Sequence, residues 1–197
     1  SLLIKPTWEE IPKGLSFDAM IQIDPGTAFG TGSHETTRLC IEAMELYKNT
    51  LPPQYRVLDV GTGSGILGIA ALQFGAGQVC GIDVDENVAP AVADNLRANG
   101  IAPEQFFAAW GDILTDRAFR DSLGCYDLVL ANILAPVITG LIPIIPDHLK
   151  PGGIFIASGI INTKEEAVVQ ALLKEPGLAL LEVRRLGEWV SIIAKRS

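Results

Sequence analysis

The chain has 197 residues, 48% of them hydrophobic and 19% charged, the composition of one globular domain with a well-filled core and not of a disordered or fibrous protein. Its 15 Lys and Arg against 23 Asp and Glu give a net charge of −8, which argues against a nucleic-acid backbone as the main partner and suits a basic one. No run approaches the roughly 20 apolar residues of a membrane span, the start lacks a signal-peptide plan, and Cys40, Cys80 and Cys125 are isolated in apolar contexts, so a cytoplasmic protein with buried thiols and neither a disulfide framework nor a metal site is expected.

Residues 1–33 hold Pro6, Pro12, Pro25, Gly14, Gly26, Gly30 and Gly32 and are read as an extended or looped extension with one short strand over 20–23. The main domain then runs over 34–197. Ser33 is placed to cap a first helix, Glu35 suits its positive first turn, and Leu39, Cys40, Ala43, Met44 and Tyr47 recur at helical spacing until Pro52-Pro53. From Tyr55 short apolar runs alternate with amphipathic stretches. Strands are predicted over 55–60, 78–83, 105–109, 126–131, 152–158, 178–185 and 189–195, and helices over 65–75, 86–99, 137–149 and 163–174. Only residues 186–188 join the last two strands, too few for a helical crossover, so they form a hairpin. The fold expected is a three-layer, doubly wound α/β domain on a seven-stranded, mostly parallel sheet with a C-terminal antiparallel hairpin.

The first strong strand ends in Leu58-Asp59-Val60-Gly61-Thr62-Gly63-Ser64-Gly65, just before a helix. Gly61, Gly63 and Gly65 let backbone approach a ligand at the carboxyl end of the strand, where open α/β sheets bind. Gly63-Ser64-Gly65-Ile66-Leu67-Gly68 also matches the dinucleotide fingerprint, but its first glycine falls four residues after the strand, and the Asp59 carboxylate would repel a pyrophosphate. S-adenosylmethionine carries an ammonium, a sulfonium and no phosphate, so the same acid attracts it. Asp83 closes the second strand, placed to accept bonds from ribose hydroxyls, while Asp85 suits a helix cap. Asp112 closes the third strand, where it serves either the adenine amino group or its own turn.

These motifs, LDVGTGSG, GIDVD and an acid after strand three, resemble class I S-adenosylmethionine-dependent methyltransferases. After the fourth strand comes Asn132-Ile133-Leu134-Ala135-Pro136, where an asparagine stands in the place of the N-P-P-Y motif of amine methyltransferases. There the amide oxygen and the next backbone carbonyl, here those of Asn132 and Ile133, hold the N–H groups of the target. The segment DPGTAFGTGSHETT over 24–37, with LDVGTGSGILGIAA, ANILA and the late Glu188-Trp189, is similar to the ribosomal protein L-eleven methyltransferase family over nearly all of residues 3–197.

That resemblance implies transfer of methyl groups from S-adenosylmethionine, leaving S-adenosylhomocysteine, to lysine side chains and the α-amine of one basic ribosomal protein. Another protein or a small-molecule amine is the alternative acceptor, and a nicotinamide enzyme using the decoy fingerprint is the rival outside the class. Carried over by position, the family's cofactor contacts fall on Thr37, Gly61, Asp83 and Asn132. Phe29 reads as part of a cover over the cofactor. His34 is the candidate titrating base, with a capping role as its alternative. His148, at a helix end, reads as structural. The family carries a small recognition domain ahead of the catalytic one; nothing before Ser1 represents it, so a fragment is the expectation, with a paralogue acting on another substrate as the alternative.

Overall fold

A computed structural model describes residues 2–11, 14, 16–24 and 35–197. Two parallel strands, β1 (Leu2–Pro6) and β2 (Ala19–Ile23), form a small sheet of their own. Sequence reading caught the second and not the first, because Leu2, Leu3 and Ile4 are only half-buried and Pro6 ends the run. Ile21 and Ile23 enter the same apolar cluster as the first two helices, so this short sheet packs onto the domain core.

The remaining elements follow in chain order: α1 (Glu35–Tyr47), β3 (Arg56–Val60), α2 (Ile66–Gln73), β4 (Gln78–Asp83), α3 (Ala89–Ala98), β5 (Phe106–Trp110), α4 (Arg117–Ser122), β6 (Tyr126–Asn132), α5 (Ala135–Leu141), α6 (Ile145–His148), β7 (Leu149–Ile161), α7 (Glu165–Leu173), β8 (Leu178–Leu186) and β9 (Trp189–Arg196). Seven strands make one sheet in the order β5-β4-β3-β6-β7-β9-β8. All neighbours from β5 to β7 are parallel. β9 runs against both β7 and β8, so the reversed strand of the expected hairpin is inserted one place in from the edge.

Alternation along the central strands feeds two cores. Leu128 and Leu130 of β6, with Ile154 and Ile156 of β7, join the α1–α2 side, while Val129, Ala131, Phe155 and Ala157 join the side of α5 to α7. Each fully buried Val, Leu, Ile or Phe among them contributes about 1.5–3 kcal/mol, and the two alanines less. α2 is apolar on nearly every side and buried from Ile66 to Ala71, as a helix between sheet and β2 must be.

One predicted helix, 137–149, is two. Pro143 lacks the N–H that a continuous helix needs and falls in the break over 142–144, and Pro146 sits in the first turn of α6, where a missing N–H is tolerated. α4 was missed: it is short, and its start rests on Asp116, whose carboxylate accepts from the N–H of Phe119. Cys40 and Cys80 are buried as expected, but Cys125 is exposed, its thiol donating to the carbonyl of Asp147. His148 is structural: buried, with Nδ1 2.9 Å from the Gly124 carbonyl. No helix among the described residues is long and apolar enough to cross a membrane.

Candidate functional site

The strand order reverses around β3, and ligands of open α/β sheets bind at the carboxyl ends of the strands flanking such a point. A cavity of about 720 Å³ opens there. Its walls come from the loops after β3, β4, β5 and β6, with Gly159 of β7 and Trp189 of β9 closing the far side. A second hollow of about 470 Å³ lies near the opposite ends of β3 and β4, around Arg56, Gln78 and Tyr126, and contains none of the motif residues. The larger cavity, at the switch point, is the candidate site.

The glycine loop forms its floor. Gly61, Gly63 and Gly65 have φ of 70°, 54° and 82°, in the left-handed region, and the N–H groups of Gly61 and Thr62 both donate to the Ile82 carbonyl. Gly61 and Gly63 line the cavity. Gly65 does not: a Cβ there would face Val92, Ile69 and Phe106, so this glycine shapes the turn into α2 from beneath instead of meeting a ligand.

Asp59 also lies beneath the loop. It is 1% exposed and absent from the cavity wall, and its Oδ2 accepts from the Thr62 hydroxyl at 2.8 Å and the Gly68 N–H at 3.2 Å. The carboxylate expected from sequence to attract a cationic cofactor thus ties the loop to the start of α2 from beneath the cavity wall. Burial pushes its pKa up to about 6 against these two bonds, with the nearby charge of Asp83 adding to the rise.

Asp83 and Asp112 do line the cavity. Asp83 accepts from the Gly63 N–H at 3.0 Å through Oδ2 and from the Asp85 N–H at 3.0 Å through Oδ1. Each carboxylate oxygen keeps a second lone pair, so these bonds fix the group without exhausting it. Asp85 caps the turn after it, accepting from Asn87. Asp112 accepts from the Thr115 hydroxyl and the Leu114 N–H, and those bonds, the hydroxyl's first, hold its pKa below the ordinary carboxylate value. Val84, Val88, Ile113 and Leu114 add apolar wall between the two acids.

On the far side stand Asn132, Ile133 and Leu134. Thr37 is fully buried in α1, and its hydroxyl meets the Asn132 amide, whose Nδ2 donates to Thr37 Oγ1 at 3.3 Å. The structure thus gives Thr37 to Asn132, while Thr36 beside it reaches the cavity wall. With its nitrogen so engaged, the Asn132 Oδ1 is buried and has no hydrogen-bond partner among the described residues. A buried acceptor left unmade costs about 1–3 kcal/mol, a cost that a ligand N–H would remove. Phe29 and His34 lie outside the described residues.

Several wall residues escaped sequence reading: Val84, Leu114, Gly159 and, as a site residue, Trp189. A glycine inside the apolar run of β7 was a usable signal, since glycine in a strand often marks a bulge or a close approach. Val84 and Leu114 are plain aliphatic side chains and Trp189 is an aromatic at the start of β9, and only the strand order brings them to one place.

A family model for ribosomal protein L11 methyltransferase matches residues 1–197. The ribosomal protein L11 methyltransferase of Lachnospira eligens is 47% identical over 197 residues, covering 99% of this chain and 61% of that protein. The chain spans about three fifths of the length of the curated relatives it matches. Among solved structures, a ribosomal protein L11 methylase from Lactobacillus delbrueckii subsp. bulgaricus superposes with a TM-score of 0.86 at 34% identity, covering 99% of this chain and 94% of that one. A putative S-adenosylmethionine-dependent methyltransferase from Streptococcus mutans, 13% identical with a TM-score of 0.65 over 78% of this chain and 48% of its own, shares the fold.

Proposed function

The chain belongs to the ribosomal protein L11 methyltransferase family, and from that premise we propose that it transfers methyl groups from S-adenosylmethionine to amino groups of ribosomal protein L11. The observation that carries this reading is the buried Asn132 Oδ1, an acceptor with no protein partner among the described residues in the wall of a cavity whose other end is built for a nucleoside.

The residues fit that cofactor. Asp83 offers two fixed oxygens to a pair of ribose hydroxyls, Asp112 offers an acceptor to an exocyclic amine, and Val84, Val88, Ile113 and Leu114 give apolar surface for a flat base. Gly61 and Gly63 bring bare backbone to the floor. A Cβ at Gly61 would run into the Ile133 side chain, so glycine there also keeps the two halves of the site in contact. When bound, S-adenosylmethionine supplies an electrophilic methyl group to a nucleophile placed in line with it.

What the chain contributes is placement and a dry surface. Asn132 Oδ1 and the Ile133 carbonyl accept the two N–H groups of a neutral amine, which leaves the nitrogen lone pair facing the remaining direction. A lysine must first lose a proton, at a cost of roughly 4–5 kcal/mol near pH 7. Ile133, Val137 and Trp189, partly buried in the same cavity wall, give the pair an apolar setting that disfavours the ammonium over the amine. The lysine gives up its proton as it enters, to solvent or to His34, the base expected from sequence. The net charge of −8 favours a basic protein partner over a nucleic-acid backbone, and a cytoplasmic setting follows from a ribosomal substrate.

Labelled methyl transfer to purified ribosomal protein L11, with the protein expressed from its complete coding sequence, tests the reading. Calorimetry should show binding of S-adenosylhomocysteine and not of NAD. Asn132→Ala is expected to lower kcat by roughly a hundredfold or more while leaving S-adenosylhomocysteine affinity within a few-fold. Transfer to small amines but not to the ribosomal protein would reassign the substrate.

A further inference from the structure

β7 does not pass straight through its pairing with β9. The register shifts between Ala157 and Ile160, and Gly159 sits in that bulge with φ +84°. Three observations tie the bulge to the acceptor pair. The Ser158 carbonyl accepts from the Ile133 N–H at 3.1 Å, and the Ser158 hydroxyl donates to the Thr36 carbonyl at 3.0 Å, so the bulge joins the substrate loop to α1. Gly159 itself lines the cavity. A Cβ on Gly159 would stand 2.5 Å from the Ile133 carbonyl oxygen and 3.0 Å from its nitrogen, both backbone atoms that cannot swing aside.

We propose that Gly159 is a positioning residue for methyl transfer: its bare Cα leaves the Ile133 carbonyl oxygen open to the target amine and fixes where that oxygen stands. The inference rests on the function proposed above. A hydrogen-bonded amine nitrogen sits about 2.9 Å from its acceptor oxygen. A Cβ at 2.5 Å claims part of the same shell, or else drives the carbonyl away from the cavity. The amine then hangs from Asn132 alone and its lone pair loses a fixed direction, which is the geometry that in-line transfer needs.

The test compares Gly159→Ala with Gly187→Ala. Gly187, in the β8–β9 turn, also has positive φ, +59°, but nothing lies within 4 Å of its added Cβ, so it reports backbone strain alone. Three quantities are measured for each variant: kcat for labelled transfer to ribosomal protein L11, Kd for S-adenosylhomocysteine by calorimetry, and Tm. Gly159→Ala should lose roughly tenfold or more in kcat with Kd held within about twofold, while Gly187→Ala keeps both. If the alanine variant does not fold, Gly159→Asn carries the same test, because asparagine tolerates positive φ and still brings a Cβ. Unchanged kcat in a folded Gly159 variant overturns the proposal, and so does a parallel loss of kcat and cofactor affinity. Absence of transfer by the unsubstituted protein overturns the function first and this inference with it, which separates the two failures.

Discussion

Asn95 shows how much of this site is held by side chains that never reach it. It is fully buried in α3, donates from Nδ2 to the Ser64 carbonyl at 2.9 Å and accepts from the Asp24 N–H at 2.8 Å through Oδ1. One amide therefore bridges the glycine loop and the end of β2. Asn99, one turn on, repeats the device with Gln22, accepting from its N–H at 2.8 Å and donating to its carbonyl, so α3 presents β2 with something like a neighbouring strand. Asn95→Leu keeps the size and removes both bonds. We expect a stability loss of about 2–3 kcal/mol by denaturant titration and, because Ser64 belongs to the loop under the cofactor, a fall of roughly tenfold in S-adenosylhomocysteine affinity by calorimetry. A variant that loses stability but binds S-adenosylhomocysteine as before would show that Asn95 serves the fold and not the loop.

At the scale of the element, α2 packs against the sheet at Gly68, where Phe106 and Val79 fill the space that a side chain would need. A Cβ there would enter the Phe106 ring and approach Val79 Cγ1 at 2.9 Å. In an isolated helix Gly→Ala stabilises by up to about 1 kcal/mol; here the overpacking should reverse the sign, with Gly68→Ala losing about 1–3 kcal/mol in a melt or denaturant titration. The same glycine opens a lesson about legibility. Gly68 closes the decoy fingerprint, yet it faces Phe106 and Val79, away from the cavity: a sequence pattern reports that backbone comes close to something, not to what. What was readable was whatever repeats locally. Strands buried on both faces read as apolar runs, and the loop acids fell at strand ends. What was not readable depends on chain segments far apart in sequence. Thr37 and Asn132 are 95 residues apart, and only the fold turns one toward the other, so that the Thr37 hydroxyl accepts from the Asn132 amide. Asp59 stands in the same strand-end motif as glycines that line the cavity; its own orientation, beneath the loop, is set by Thr62 and Gly68.

Asp59 also has a consequence for the whole molecule. A carboxylate 1% exposed, with Oδ2 bonded twice and Oδ1 buried without a partner among the described residues, is held in place at a cost when charged. Desolvation raises its pKa from the ordinary 3.8 to about 6. Between those two values the folded chain binds more protons at this site than the unfolded chain, so stability falls as pH rises through the window and levels off above about 6. Across the whole titration that rise corresponds to roughly 3 kcal/mol for a group with no solvent screening. Glu42, Asp112 and Glu165 act with the opposite sign, since their pKa values are lowered by bonds to Arg38, Thr115 and Arg185, and their stabilisation is lost as pH falls. The raw pH profile therefore mixes both trends. Asp59→Asn isolates the buried group, because its amide oxygen still accepts from Thr62 and Gly68 but carries no titrating proton. The unfolding free energy of the native protein minus that of Asp59→Asn should decline by roughly 2 kcal/mol between pH 4 and pH 6 and by a few tenths of a kcal/mol more before levelling off near pH 7, measured by denaturant titration at each pH. A difference that is flat across pH 4 to 6 would mean that Asp59 ionises as easily in the folded chain as in water, and that the glycine loop rests on a charged support without penalty.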